Sequence, residues 1–566
     1  MSLSAEDEQR LIDKAVETHS KAILALKYQR NSLASISRLP AEILSQIFSF
    51  VKLSLTGGIY SRFTNSLAWI KITHVSTHWR YVAMNSPTLW DNPPPENGQW
   101  LVEMLKRSKM AGLNIHADLA SRVPLKMVGL KKILQYHGSR IQHLTLTNMT
   151  FDSRKVLEDL PASAPRLETL RLAASLPDHA NWDDVCIPKT FLTNSGNLRR
   201  LELSGCNVHW NLFSLSNITH LKLHDITKLA RPTWTQFMGA LAEMFKLECL
   251  DLKYVLDPTI KFTADTPSDL IQLSRLQMLT MTSPIAEVEM FFRHVAFPPS
   301  ATVHVRAIPS SASISNISAV ISSISRSYLG QEFLTLTIRD SESYHFTFVQ
   351  FRLFRKATEN PVFYTNAAAL TLEIVTSGIQ VTAEQIVPEL FNNGFPLNTI
   401  SHVELDANIT KPDTLTCTLG NLPALSFVWV HTQSGIAFVK ALYPHSNAVD
   451  AEYFPLYFRN LVTINLSLTF EAKDGYAEKT PFDVDLKLLQ DCLIQRYECG
   501  AEIQKLSLDD CFHLEESDVL ELTDIVTDVD WDAMEQVVEP SEEEEEEYGE
   551  DEEDDYYDSD DRCHYQ

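Results

Sequence analysis

Three blocks within residues 39–90 decide the fold of the N-terminal part of this chain: LPAEILSQIF at 39–48, WIKITHVSTHWR at 69–80 and SPTLW at 86–90. The first block places an apolar residue at every fourth position, which is typical of one face of a helix. The second block predicts another helix, and the Ser86-Pro87 pair that follows ends it. Its apolar residues at helical spacing are Trp69, Ile72, Val75, Trp79 and Ala83. Periodicity alone therefore indicates a small helical core.

The order of residue types in these blocks resembles the F-box, a short helical domain. The resemblance rests on the LPxEILxxIF motif, the IThVxxxWR block and the closing SPTLW. It implies that the domain attaches a substrate receptor to a cullin-type ubiquitin ligase through a Skp-type adaptor. The residues that the resemblance implies for this contact are Leu39, Pro40, Ile43, Leu44, Ile47, Val75, Trp79, Leu89 and Trp90. Sequence does not separate adaptor contacts from core residues, and an ordinary helical core with all of them inward is the alternative.

One segment departs from a standard F-box. The loop from Lys52 to Ala68 carries Gly57-Gly58 and lengthens the connection between the helices, which is expected to weaken adaptor binding. Residues 91–98 contain three consecutive prolines and mark the exit from the domain. Residues 100–110 then predict a helix that leads to the next part of the chain.

From about residue 141 an apolar pattern recurs, with spacings of three and then two residues. Its central positions are Leu144, Leu170, Leu201, Leu221, Leu250, Leu279, Leu336, Leu370, Val403, Val428, Ile464 and Leu506, with a degraded copy at Val303 and Val305. This is the core pattern of a leucine-rich repeat. The last two apolar residues of each copy are two apart, so they point to the same side of a short strand.

Parallel stacking of such strands requires return segments, and several of these are predicted to be helical. Phe237, Leu241, Met244 and Phe245 fit a helix before the strand at Leu250. A closed barrel is the alternative, but about thirteen units of unequal length argue against closure. We expect an α/β fold: an open, leucine-rich-repeat-like solenoid, shaped as a horseshoe with a parallel sheet, with a distortion or second subdomain after about residue 300.

The first 34 residues predict one more helix. Apolar residues at spacings of four and three, with breaks at His19 and Arg30, form a heptad-like seam. A coiled coil and a single helix packed beside the F-box are both consistent with this pattern. The combination of a polar helix, an ISRLP–EIL segment and degenerate repeats resembles F-box proteins of mushroom-type fungi.

Most of the charge imbalance lies in the C-terminal tail. The net charge is -26, and sixteen acidic residues against one Arg from Glu539 onward account for -15 of it. Such a tail buries no apolar surface and is expected to be extended and disordered. It suits either a docking strip for a basic partner or a solvated segment, and Ser541 stands in an acidic context that certain kinases prefer.

The sequence carries no recognisable catalytic or cofactor signature. It has no P-loop, GxGxxG, GxSxG or HExxH motif, and its eight cysteines form no CxxC pair. We therefore expect no catalytic residue, cofactor or metal. The acidic balance opposes nucleic-acid binding, and no stretch reaches the ~18 apolar residues of a membrane span. A cytoplasmic or nuclear location is expected.

The predicted domains are a helix at 1–34, an F-box at 35–92, a solenoid at 100–538 and an acidic tail at 539–566. The leading hypothesis is the substrate-recognition subunit of an SCF-type ubiquitin ligase, which binds the Skp-type adaptor and cullin complex and holds an unidentified target protein. The alternative is a scaffold or chromatin-associated protein without ligase function. A solenoid that senses a small ligand is a third hypothesis, which requires a pocket.

Overall fold

The chain folds as a mixed α/β protein, seen here in a computed structural model. The structure describes residues 4–56, 67–120, 123–150, 153–175, 196–208, 216–227, 230–256, 270–309, 314–343, 346–358, 368–377, 381–443, 456–470 and 483–534. It also describes three single residues between these ranges, Ile187, Phe191 and Trp210. The Gly57-Gly58 pair and the predicted tail at 539–566 lie outside the described residues.

Helices make up the N-terminal part of the described chain and alternate with strands after residue 113. The α-helices are α1 (Ala5–Ser32), α2 (Ala41–Thr56), α3 (Thr77–Met84), α4 (Gly98–Arg107), α5 (Val123–His137), α6 (Trp234–Ala242), α7 (Ile285–His294), α8 (Ile314–Ser325), α9 (Ala383–Asn392), α10 (Pro412–Cys417), α11 (Gly435–Leu442), α12 (Leu486–Glu498) and α13 (Glu516–Thr523). Short 3₁₀ helices include Ser35–Arg38, Ala68–His74 and Pro87–Trp90.

The strands form one long sheet and one short pair. They are β1 (Leu113–Asp118), β2 (Ile141–Met149), β3 (Thr169–Ala174), β4 (Arg200–Ser204), β5 (His220–His224), β6 (Cys249–Lys253), β7 (Ile271–Gln272), β8 (Met278–Pro284), β9 (Val295–Ala296), β10 (Thr302–Ile308), β11 (Thr335–Ser343), β12 (Phe346–Phe354), β13 (Leu370–Val375), β14 (His402–Asp406), β15 (Phe427–His431), β16 (Thr463–Ser467), β17 (Lys505–Leu508) and β18 (Asp528–Trp531). Strands β7 and β9 pair with each other.

In the described part of the chain, the other strands form a 16-stranded sheet with the order β1-β2-β3-β4-β5-β6-β8-β10-β13-β12-β11-β14-β15-β16-β17-β18. Every position predicted from the recurring apolar pattern lies in one of these strands, including the degraded copy in β10. Strand β5 shows why: Leu221 and Leu223 are buried, whereas the residues beside them are half-buried on the other side. Alternation along the strand thus gives the sheet one apolar and one polar face.

The prediction of parallel stacking is confirmed for most of the sheet but is wrong between β10 and β14. Strand β12 pairs antiparallel with both β11 and β13, so β13 rather than β11 lies beside β10. The sequence of β12, FTFVQFRLF, carries the three-then-two apolar spacing at Phe348, Phe351 and Leu353, so this strand is a copy of the pattern that was not among the predicted repeats. The two-residue connection from β11 is long enough only for an antiparallel hairpin.

Several predicted boundaries also differ from the structure. Helix α2 continues through Thr56, so residues 52–56 of the predicted loop are helical, and residues 57–66 lie outside the described residues. The helix predicted from Trp69 to Ala83 is divided in two, because Ser76 Oγ accepts a hydrogen bond from the Trp79 amide at 3.1 Å and starts α3. The helix predicted at residues 100–110 is α4, which already ends at Arg107. Helix α6, before β6, ends at Ala242, so Met244 and Phe245 lie beyond it, and Phe245 is exposed.

Two separate clusters of buried residues stabilise the described chain. The larger follows the apolar face of the sheet from Leu101 to Val526. The smaller belongs to the helices before the sheet and contains Leu44, Phe48, Trp69, Ile70, Ile72, Val82, Ala83, Leu89, Trp90 and Met104. Helix α4 contributes to both, since Leu101 lies in the first cluster and Met104 in the second.

Candidate functional site

The helical unit, residues 35–92, is built around two tryptophans. The rings of Trp69 and Trp90 meet edge to face with centroids 5.0 Å apart, and both side chains are almost fully buried. Trp90 Nε1 donates a hydrogen bond of 2.8 Å to the Ala83 carbonyl oxygen, which pairs its polar atom inside the core. The Arg107 guanidinium covers the Trp90 ring at 4.2 Å. The closing SPTLW block is thus a structural part of this unit.

The predicted adaptor-contact residues fall into two groups. Leu44, Leu89 and Trp90 are fully buried, so they stabilise the unit and present no surface to a partner. The remaining six are half-buried or exposed, namely Leu39, Pro40, Ile43, Ile47, Val75 and Trp79. Their role in binding an adaptor stays a prediction.

Apolar residues follow the outer face of α2. Ile43 and Phe50 are 41% and 72% exposed, and Ile47 between them is half-buried. These three residues, the α2 stripe, are spaced by four and three and therefore share one side of the helix. Sequence reasoning had not included Phe50 among the contact residues, although its spacing from Ile43 was the available signal. The buried side of the same helix is formed by Leu44 and Phe48.

Asp91 connects the helical unit to the sheet. Its carboxylate forms an ion pair with Lys52 of α2 and accepts a hydrogen bond of 2.7 Å from Asn114 Nδ2 of β1. The backbone N–H of Asn114 also donates a hydrogen bond of 2.8 Å to the backbone carbonyl oxygen of Asp91. Lys52 Nζ donates a further hydrogen bond of 3.1 Å to the Leu89 carbonyl oxygen. These contacts fix α2 relative to the first strand.

The proline run after Asp91 packs against helix α5. Pro93, Pro94 and Pro95 are buried. At Gly129 of α5, an added Cβ would lie 2.0 Å from the Pro95 carbonyl oxygen. The two backbones thus approach so closely that only glycine fits, and the exit segment is part of a packed junction.

The polar face of the sheet carries charged side chains in register. Arg171, Glu202, Lys222 and Asp251 occupy paired positions on the four strands β3–β6. Arg171 Nε lies 3.3 Å from Glu202, and Lys222 Nζ lies 2.9 Å from Asp251. The alternating signs stabilise neighbouring strands, and most of these side chains still reach solvent.

Further along this face, Glu373 is surrounded by polar partners although it is 3% exposed. Arg306 Nε and His304 Nε2 lie 2.6 and 3.3 Å from its carboxylate, and Gln350 Nε2 donates to it at 2.9 Å. Burial alone would raise the pKa of Glu373, but His304 and Arg306 stabilise the anion and lower the pKa to about 2. Glu373 is therefore ionised under ordinary conditions.

A second buried carboxylate, Glu404, lies on β14, and strands β11 and β12 separate β14 from the strand of Glu373. It forms an ion pair with Arg339, and His431 Nε2 lies 3.7 Å from it. Burial opposes ionisation, but His431 and Arg339 overcome it and lower the pKa of Glu404. Trp429 stacks on His431 with ring centroids 5.1 Å apart. The middle of the polar face thus combines paired charges with an aromatic surface, a composition suited to protein contact.

A cleft opens near the ends of β11, β12 and β14. It has a volume of about 450 Å³ and is lined by residues that include Asp340, Phe348, Glu384 and Thr410. Asp340 accepts a hydrogen bond of 2.8 Å from the Asn408 amide, and Glu384 accepts one of 2.9 Å from the Lys411 amide. Burial raises the pKa of Asp340. These carboxylates bind backbone amides of the protein, so their role in the cleft is structural.

The comparisons with known proteins add no family to these observations. No protein-family model matches the chain, and no curated protein sequence matches it significantly. Among the described residues, the helices include none that is both long and apolar enough to cross a membrane.

Proposed function

We propose that this chain is the substrate-recognition subunit of an SCF-type ubiquitin ligase. Residues 35–92 act as an F-box that binds a Skp-type adaptor, and the sheet with its helices acts as a leucine-rich-repeat-like solenoid that holds the target protein. The chain itself performs no bond chemistry. It raises the effective concentration of the target beside the ubiquitin-conjugating enzyme.

The observation that carries the proposal is the α2 stripe on a unit with its own core. The ordered motif supplies Leu44, Leu89 and Trp90 for that core. The same motif leaves Ile43 and Val75 exposed, and Phe50 extends the apolar surface along α2. Exposed apolar residues that line one helix face support a role in binding a partner by a hydrophobic surface.

The polar face of the sheet supports the target-binding half of the proposal. The strands of a solenoid place short, regularly spaced side chains on one continuous surface. Here that surface carries ion pairs such as Lys222–Asp251 and the aromatic pair Trp429–His431. Residues of this kind give specificity to a protein interface through charge and stacking.

A pull-down with a purified Skp-type adaptor tests the proposal. The intact chain should bind, and an Ile43→Asp plus Ile47→Asp variant should bind at least about tenfold more weakly, because charged groups would be buried at the contact. The matched control is Leu125→Asp plus Val128→Asp, which changes two exposed apolar residues of α5 and should bind as the intact chain does. Absence of binding by the intact chain, or undiminished binding by the α2 variant, would overturn the ligase function. Either result would favour the alternative, a scaffold or chromatin-associated protein without ligase function.

A further inference from the structure

Helix α1 has no covering partner within the described chain. It runs from Ala5 to Ser32, and none of its residues is buried. The apolar members of its heptad-like seam, Ile12, Val16, Ile23 and Leu26, are each more than half exposed. A 28-residue helix is about 42 Å long. Helices in water gain most of their stability by packing an apolar face, and this seam offers such a face.

The two halves of α1 carry opposite charge. Residues 5–18 contain five acidic and two basic residues, for a net charge of -3. Residues 19–32 contain three basic residues and no acidic one, for a net charge of +3. A second copy of α1 running in the opposite direction would place each acidic half against a basic half. The charge distribution is therefore complementary to itself in the antiparallel orientation.

We propose that α1 pairs with α1 of a second copy of this chain as an antiparallel coiled coil. In one antiparallel register, residue 21 of one copy lies opposite residue 21 of the other. Val16 then packs against Leu26 of the second copy, and His19 packs against Ile23 of the second copy. About 23 residues of each helix overlap in this register, which is three heptads. The polar seam residues, His19 and Arg30, face Ile23 and Ile12 and limit the strength of the pair.

The same register aligns a specific ion pair beside the seam. Asp13 and Lys27 occupy equivalent flanking positions, so each Asp13 faces Lys27 of the second copy and the pair forms twice. Within the described residues, neither side chain takes part in an ion pair, whereas their neighbours Asp7–Arg10 and Glu17–Lys21 are paired within the helix. Both groups are exposed and available for the second copy.

A parallel pair is disfavoured by charge and by bulk. In the parallel orientation Asp13 would flank Glu8 of the second copy, which places like charges together. In a parallel pair, the parts of the two copies from residue 39 onward would also lie at the same end of the coiled coil and compete for the same space. Antiparallel pairing places them at opposite ends.

Sedimentation equilibrium of the full chain tests the pairing. The intact chain should show a species of twice the 64.1 kDa chain mass. Asp13→Lys and Lys27→Asp should each weaken dimerisation by about tenfold or more, since two attractive contacts become repulsive in each dimer. An equimolar mixture of the two variants should recover the dimer, because every lysine then faces an aspartate. Lys21→Asp, a charge reversal in the same half of α1 but on its outer side, is the matched control and should change affinity by less than about threefold.

Three results would overturn the proposal. A chain that stays monomeric at high concentration lacks the interaction. Tighter association of the Asp13→Lys variant indicates parallel helices, because the introduced ammonium group would then face Glu8 of the second copy. A dimer that responds to none of the substitutions has another interface. The pairing does not depend on the proposed ligase function, since adaptor binding is measured separately on α2.

Discussion

The helical unit and the sheet bury their apolar residues in different ways. The sheet places the central residue of each repeat inside and leaves a polar face outside, as Leu221 and Lys222 show. The helical unit buries a smaller cluster and leaves Ile43, Phe50 and Val75 exposed. One region thus exposes apolar surface, and the other exposes charge.

Under the proposed function, this difference implies two kinds of recognition within one chain. Binding through the α2 stripe would depend on removing apolar area from water, which salt does not screen. Binding through the polar face would depend on charges such as Lys222 and Asp251, which salt screens. The Asp91 junction joins the two regions and keeps their relative position fixed.

The largest effect is expected from Trp90→Ala, which tests whether the two cores are independent. Loss of the contact with Trp69 and of the hydrogen bond to Ala83 should cost the helical unit about 4 kcal/mol. Hydrogen exchange should then show lost protection in α2 and α3, with strands β2–β6 unchanged. Tyr81→Ala, an exposed residue of α3, is the control and should cost less than about 0.5 kcal/mol. Equal loss of protection in the sheet would show that the two cores unfold as one.

Gly129→Ala tests the junction between the regions. Its Cβ would lie 2.0 Å from the Pro95 carbonyl oxygen, so helix and proline run must move apart, at a cost of about 3 kcal/mol. Urea unfolding measures the change. Gly98→Ala provides the control, since nothing lies within 4 Å of a Cβ added at Gly98. Equal stability of the two variants would mean that the backbones at Gly129 and Pro95 do not approach so closely.

Glu373 makes the stability of the sheet depend on pH. Its folded-state pKa of about 2 lies below the ordinary 4.5, so its contribution is present above pH 4.5 and is lost as the pH falls toward 2. Glu373→Gln should therefore be less stable than the intact chain by about 2 kcal/mol at neutral pH, and the gap should close on acidification. Urea midpoints across this range measure the gap.

The control for this pH dependence is Glu332→Gln, which changes a carboxylate outside the buried cluster. Its stability should not differ comparably from that of the intact chain at any pH. The difference in stability between Glu373→Gln and the intact chain could instead stay constant from neutral pH to pH 2. That result would show that the neighbours of the carboxylate do not stabilise it.

Asp91→Asn should have the smallest effect. It removes the ion pair with Lys52, but an Asn side chain still accepts hydrogen bonds from Lys52 and Asn114, so the expected cost is about 1 kcal/mol. A double-mutant cycle with Lys52→Met isolates the ion pair. Strictly additive costs would mean that Lys52 and Asp91 do not stabilise each other.

Much of the sheet was predictable because its signal is local. The spacing of apolar residues places strands at every predicted repeat, from Leu144 in β2 to Leu506 in β17. Strands β1, β12 and β18 were not recognised as copies of the pattern, although they carry the same spacing, at Met110/Leu113/Ile115, Phe348/Phe351/Leu353 and Val526/Val529/Trp531. The reversal at β12 consists of its antiparallel pairings with β11 and β13, and the apolar spacing within a strand carries no information about its pairing partners.

The candidate site was predictable only in part. The motif identified the helical unit, but Leu44 and Ile43 are adjacent in the sequence and differ completely in exposure. Their separation depends on how α2 packs against Trp69 and Trp90. The cluster around Glu373 and Glu404 joins strands up to 67 residues apart in the chain, so it has no local signal at all.

Hydrogen exchange of the full chain with and without a Skp-type adaptor tests the central claim most directly. The proposed function predicts that saturating adaptor protects residues 43–50 of α2 and leaves the strands of the polar face unchanged. Unchanged exchange in residues 43–50, or protection confined to the sheet, would contradict it.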